Sequence, residues 1–291
     1  MTRSLPTGVA GGSYILKPPL VKKSMLTSLD KGGVGKELSD GWVANFAIGC
    51  TFGCGFCYVD PIHKRWGSRR VGDIVKKDWG YYFAVPENLQ EVIEKTNWAN
   101  WNGKEVMLSS THDAYLPQLY EWTRKILEKA LPAGVKFCIQ TRSPLVEQDF
   151  KLISRYRDQV RLQVSVATMN AEFSRKIELR VVPPLRRLDI LRNAKNYVKC
   201  ETGIIIAPIF PRTQMRPDIN ADLHELARHL AGIRPEHIYG ESLHRRGVNM
   251  TYIEKALGER VLIDGFDAEA KTLFNASLKE FGLSGRWWDE E

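Results

Sequence analysis

A chain of 291 residues with 43% hydrophobic and 26% charged side chains reads as one large globular domain with a substantial core, which excludes disordered and fibrous classes. No run approaches the ~18 consecutive apolar residues of a membrane span, and the opening MTRSLPTGVAGGSYILKPPL lacks the apolar stretch of a secretory signal, so the expectation is a cytoplasmic protein with no membrane partner. The net charge of +8 is uneven, with no acidic residue before Asp30 and four cations in HKRWGSRR at 63–70; it leaves open a solvated basic face or a phosphate-rich partner such as nucleic acid.

Residues 1–40 are rich in Gly, Ser, Pro and Lys and show little periodicity, which predicts an extended N-terminal arm. Within it KGGVGK at 31–36 resembles a phosphate-binding loop. Glu37 stands where a Ser or Thr should meet Mg²⁺, and no buried strand precedes it, so a glycine loop is the better reading. From Trp42 the pattern changes. WVANFAI predicts a strand that runs directly into a cysteine loop, and further strands are predicted at EVMLSS (105–110), VKFCIQT (135–141), VRLQVSV (160–166), TGIIIAPIF (202–210) and HIYGES (237–242).

Helical patterns separate them: PENLQEVIEK, LPQLYEWTRKILEKAL with Leu119, Trp122, Ile126, Leu127 and Ala130 at helical spacing, PLRRLDILRNAKNY and PDINADLHELARHLAG. Such alternation implies parallel strands joined by right-handed crossovers, with helices outside. The expected organisation is an arm over 1–40, an α/β domain over 41–245 and a helical extension over 246–291. The final GRWWDEE is expected to dock as an anchor.

Three of the five cysteines fall in GCTFGCGFCYV, where Cys50, Cys54 and Cys57 form a C-x3-C-x2-C motif, while Cys138 and Cys200 stand alone in apolar runs. That distribution suits a metal site in a reducing compartment better than disulfides. A cubane cluster takes four thiolates, so three leave one iron open for another ligand. The alternative is zinc, which wants a fourth ligand; His63 is the nearby candidate.

The spacing, with Phe56 before the third cysteine, resembles the signature of the radical S-adenosylmethionine (SAM) superfamily. NFAIGCTFGCGFCYV, SSTHDAYLPQLYEWTRKILEKAL, FCIQTRSPLVEQDFKLI, VSVATMNAEFSRKIELRVVPPLRRLDILRNA and IIIAPIFP together resemble its spore photoproduct lyase-like group, over roughly residues 42–245. The resemblance implies a partial (β/α)6, TIM-like barrel with chemistry at the C-terminal strand ends. It also implies a [4Fe–4S] cluster on Cys50, Cys54 and Cys57, whose open iron takes SAM, and a one-electron donor such as flavodoxin or ferredoxin. One electron would then yield a 5′-deoxyadenosyl radical that takes a hydrogen atom from a polar substrate, nucleic acid among the candidates. The same radical acting on a peptide or small metabolite, and a zinc-stabilised nucleic-acid-binding module without catalysis, are the competing readings.

Carried over residue by residue, Ser110, Thr111, Asp113, Gln140, Arg142 and Ser165 become candidates for holding SAM. Phe56, Tyr58 and the backbone around Ile206 and Ala207 become candidates for lining the adenine. Arg142 stands where the family often has lysine and would grip a carboxylate with two prongs. Spore photoproduct lyase uses a cysteine near the end of the second strand as hydrogen-atom donor; Ser110 occupies the matching place here. An O–H bond is a poor donor, so Tyr115 or Cys138 would have to substitute, and His112 is a candidate for substrate binding or proton transfer. Glu241, His244, Arg245 and Arg246 form either an anion site or a surface turn.

Overall fold

The computed structural model describes residues 8–24, 38–39 and 41–289; the KGGVGK segment lies outside them. Eleven strands are formed by the described residues: β1 (Ala10–Tyr14), β2 (Lys22–Lys23), β3 (Trp42–Val43), β4 (Ile48–Gly49), β5 (Tyr82–Pro86), β6 (Glu105–Leu108), β7 (Lys136–Thr141), β8 (Val160–Ser165), β9 (Glu201–Ile209), β10 (His237–Ser242) and β11 (Arg286–Trp287). The main sheet runs β11-β10-β9-β8-β7-β6-β3-β2. Every pairing in it is parallel except that of β2 with β3. No pairing between its two edge strands closes it among the described residues, so the partial barrel stays open. Helices α1 (Val59–Trp66), α2 (Leu89–Lys95), α3 (Tyr120–Ala130), α4 (Ala171–Ile177), α5 (Pro184–Asn193), α6 (Ile219–Ile233), α7 (Asn249–Leu257) and α8 (Phe266–Glu280) accompany the strands.

Local chemistry accounts for the crossovers. In α3, Thr123, Ile126, Leu127 and Ala130 are buried, the spacing of one helical face laid on a sheet. Asp218 caps α6 by accepting the Ala221 amide, and Asn170 caps α4 by accepting those of Glu172 and Phe173. The central strand β9, ETGIIIAPI, is buried almost throughout, as parallel strands covered on both faces must be.

The structure departs from the sequence reading at the start of the fold. The predicted strand WVANFAI is split: Trp42 and Val43 pair with β6, whereas Ile48 and Gly49 turn away to pair antiparallel with β5. Between them Asn45 leaves the ladder to bond Ser110, through its amide nitrogen to the hydroxyl at 2.9 Å and by accepting the Ser110 N–H at 3.0 Å. A second sheet, β1-β5-β4, results; β1 lies in the segment expected to be an arm and pairs in parallel with β5. At the other end, beyond helices α7 and α8, the chain finishes docked in the sheet. Trp287 enters the main sheet beside Gly240, fully buried against Phe274 at 5.3 Å between ring centres.

Candidate active site

The C-terminal ends of β6, β7, β8, β9 and β10 surround one cavity of about 870 Å³. Its wall nearest the start of the fold is the loop 50–57. That loop exists because two backbones cross at van der Waals distance: Gly53 and Gly80 both have positive φ, and a Cβ on Gly80 would lie 2.7 Å from the Gly53 Cα. The segment after α4 ties the loop down. Gly55 donates to the Ile177 carbonyl at 2.8 Å, Arg180 donates from its backbone to Phe52 at 3.0 Å, and its guanidinium reaches the carbonyls of Thr51 at 3.1 Å and Gly80 at 2.7 Å.

Cys50, Cys54 and Cys57 all border the cavity. The amides of Asp113 and Phe52 point to the Cys50 sulfur and that of Val59 to the Cys57 sulfur, donors that favour thiolates. Burial nevertheless pushes all three thiols up to about 12, so metal binding here must release protons. Among the described residues no three His, Cys, Asp or Glu side chains converge closely enough to grip a single metal ion. His63 is off the cavity wall, with its Nδ1 accepting the Gly49 amide at 2.8 Å. An iron–sulfur core, wider than one ion and needing three thiolates, fits this donor set; a lone zinc with His63 as fourth ligand does not.

Behind Cys54 lies an ion network whose Arg187–Glu178 centre is fully buried. Arg187 gives Nη1 to Glu178 Oε1 at 2.9 Å and Nη2 to Oε2 at 2.6 Å, and also reaches the Ser165 carbonyl at 2.7 Å. Arg142 adds Nε to Glu178 Oε1 at 3.2 Å. Burial works to raise Glu178, but the charges of Arg187 and then Arg142 outweigh it and hold the carboxyl below its usual range. Two guanidiniums share one carboxylate, so the trio keeps a net positive charge. Arg142, on the cavity wall with its ring neighbour Phe56 at 5.6 Å, retains free N–H groups to offer an anion.

Most residues singled out from the sequence meet at this cavity: Phe56, Tyr58, Ser110, Thr111, His112, Asp113, Gln140, Arg142, Ser165 and Ala207. Tyr58 donates its hydroxyl to the Ser110 carbonyl at 2.5 Å. Asp113 is occupied structurally, accepting from the Tyr115 amide at 2.9 Å, the Thr141 hydroxyl at 2.7 Å and the Arg142 amide at 2.7 Å. It therefore positions the ends of β6 and β7. Burial pulls His112 down to about 3, leaving a neutral imidazole whose Nε2 meets no hydrogen-bond partner among the described residues.

Other candidates lie elsewhere. Tyr115 is buried off the wall and donates to Asp149 at 3.0 Å. Cys138 is wholly buried, also off the wall, with its sulfur 3.7 Å from Gln163. Neither borders the cavity. Ile206 also faces away; strand alternation puts Ile205 and Ala207 on the cavity instead.

The wall built from the end of β10 onward carries Glu241, His244, Arg245 and Arg246, joined by Trp288. The charged heads meet loosely here: Glu241 stands 3.8 Å from His244 and 3.9 Å from Arg246. Burial raises Glu241 to about 7, with Arg246 opposing and Asp267 adding to the shift. Sequence reasoning missed Asn45 and the Glu178–Arg187 pair. Asn45 finds its partner at the end of another strand and Glu178 meets Arg187 across a turn, so no local pattern marks them.

A family model described as the Radical SAM superfamily matches residues 44–220. The chain is 55% identical over 284 residues to an uncharacterized protein, ORF301, of the Acidianus two-tailed virus, covering 97% of this chain and 94% of that one. It is 28% identical over 179 residues to an uncharacterized protein, MJ0683, of Methanocaldococcus jannaschii, covering 58% of this chain and 61% of that one. Among solved structures, a spore photoproduct lyase variant aligns with TM-score 0.66 at 15% identity, over 94% of this chain and 80% of its own. Another, holding AdoMet and dinucleoside spore photoproduct, aligns with TM-score 0.62 at 15% identity, over 86% and 77%. These structural likenesses establish a shared fold.

Proposed function

Because the chain belongs to the radical SAM superfamily, we propose that it cleaves SAM reductively at a [4Fe–4S] cluster held by Cys50, Cys54 and Cys57, and takes a hydrogen atom from a polar substrate in the same cavity. The observation that carries this is the convergence of the three thiols and the cationic Arg142 wall on one cavity at the strand ends. When bound, the two groups supply a carbon radical from the 5′-deoxyadenosyl part of SAM, formed by one-electron cleavage of its sulfonium.

The chain's own residues do the positioning. Arg142, braced from behind by Glu178 and Arg187, pairs with the carboxylate of SAM. Tyr58 fixes the Ser110 carbonyl, and Asn45 holds both the amide and the hydroxyl of Ser110, so the β6 end presents a rigid polar edge. Phe56, Ile205, Ala207 and Leu243 supply apolar wall and keep water from a reactive carbon. No thiol besides the three ligand cysteines borders the cavity among the described residues. A lyase-type relay through a wall cysteine therefore has no donor among them.

For the substrate, Arg245, Arg246 and Trp288 on the wall after β10 favour an anionic molecule with a flat ring, and nucleic acid meets both requirements. A spore photoproduct lyase structure holds a dinucleoside, which supports that choice over a peptide. Anaerobic reconstitution with iron and sulfide, reduction, and addition of SAM should yield 5′-deoxyadenosine and methionine. A reconstituted protein that binds zinc in preference to iron and yields neither product would sink the proposal. Filter binding of DNA and RNA at two salt concentrations tests the substrate class.

A further inference from the structure

Helix α1 begins two residues after Cys57 and presents an unusual outer face. Tyr58, Ile62 and Trp66 recur every fourth residue, and each is among the large hydrophobic side chains left exposed, at 44%, 41% and 51%. Fourfold spacing stacks them in one stripe along the helix. Tyr58 and Ile62 touch the cavity rim; Trp66 sits two turns beyond Tyr58, ~12 Å along the axis at 1.5 Å per residue.

Cations crowd around the outer end. The guanidiniums of Arg65 and Arg69 lie 4.9 Å and 5.5 Å from the Trp66 ring. Arg70 is close enough to Lys22 and His63 that its charge helps lower both, second to burial in each case. Among the described residues no carboxylate forms an ion pair with Arg65, Arg69 or Arg70. The acid on the helix, Asp60, is buried and turned to Lys64 at 2.9 Å. An apolar centre ringed by unpaired cations has the anatomy of a small transient interface awaiting an acidic partner.

We propose that the Trp66 end of α1 is the docking surface for an acidic one-electron donor protein. The inference rests on the radical chemistry proposed above, which requires one electron per SAM cleaved: the donor is oxidised by one electron and the cluster reduced by one, with no proton or leaving group moved in that step. Transfer falls steeply with distance, and α1 is the surface element joined directly to a ligand cysteine. A nucleic-acid strand can also stack on a tryptophan, but a strand reaching the cavity already has Arg245, Arg246 and Trp288 to meet it.

Reduced flavodoxin is the probe, and reconstituted full-length protein is compared with Trp66→Ala and with the double variant Arg65→Glu, Arg69→Glu. Titration should give flavodoxin binding that weakens with salt in the wild type and by on the order of tenfold in the charge-reversed variant. Flavodoxin-driven 5′-deoxyadenosine formation should fall in step, while dithionite-driven formation stays unchanged. Variants that bind flavodoxin as the wild type does would overturn the docking site. So would variants that keep flavodoxin coupling yet lose single-stranded oligonucleotide binding, which would assign the stripe to nucleic acid. Failure of dithionite to yield 5′-deoxyadenosine in the wild type refutes the radical chemistry instead, and the flavodoxin titration still decides the docking surface.

Discussion

The two walls of the cavity meet where Gly247 packs on Pro61 and Lys64 reaches the Tyr252 hydroxyl at 3.0 Å, yet they are held by different forces. The cysteine wall is clamped by backbone hydrogen bonds, by crossing glycines and by a buried arginine pair around Glu178. The wall after β10 has a hydrogen-bonded frame, with Trp288 donating to Asp267 at 3.0 Å and Asn249 to the His244 carbonyl at 2.8 Å, but its charged heads meet only at 3.8–3.9 Å, and Arg245 and Arg246 are exposed. A rigid wall suits a cofactor that must sit in one place; a looser, titratable wall suits a substrate that comes and goes.

The largest expected effect breaks the first wall. Replacing Cys50, Cys54 or Cys57 with Ala should reduce bound iron after reconstitution and take 5′-deoxyadenosine formation to background, as read by iron analysis and chromatography. Next, Arg187→Met should destabilise the fold by about 3–5 kcal/mol in urea melts, because it strips Glu178 of its two-pronged partner in a dry interior. If stability is unchanged, the buried network is not what braces this wall.

On the other wall the expected effects are smaller. Glu241 is held near 7 in the fold against its ordinary 4.5, so between those values the folded protein keeps a proton that the unfolded chain has lost. Stability should therefore fall as pH rises through that window and level off above it, and Glu241→Gln should flatten that decline in melts at pH 5 and pH 8. An identical pH profile in the variant would show that Glu241 ionises freely. The least disruptive change, Arg245→Ala with Arg246→Ala, should leave stability within about 0.5 kcal/mol. It should reduce the salt slope of nucleic-acid binding by about one for each phosphate no longer engaged. An unchanged slope would remove these arginines from the substrate site.

What depends on neighbours along the chain was legible in the amino-acid order. Cys50, Cys54 and Cys57 mark a three-thiolate loop because ligand spacing is local, and the strand and helix alternation marks parallel crossovers because burial periodicity is local. Polar residues at strand ends, such as Ser110 and Arg142, were legible for the same reason: a parallel strand delivers its last residues to a common face. Other features exist only once the elements have packed. Tyr115, Cys138 and Ile206 each looked available, but the side of the strand or loop they occupy turns them inward. WVANFAI read as one strand because nothing in it announces that Asn45 will leave the ladder for Ser110. Glu178 and Arg187 meet across a turn, and Glu241 acquires its shifted proton affinity from burial, with Asp267 in α8 adding to it. Burial and long-range charge are properties of packed surfaces, and a linear pattern does not encode which surfaces will meet.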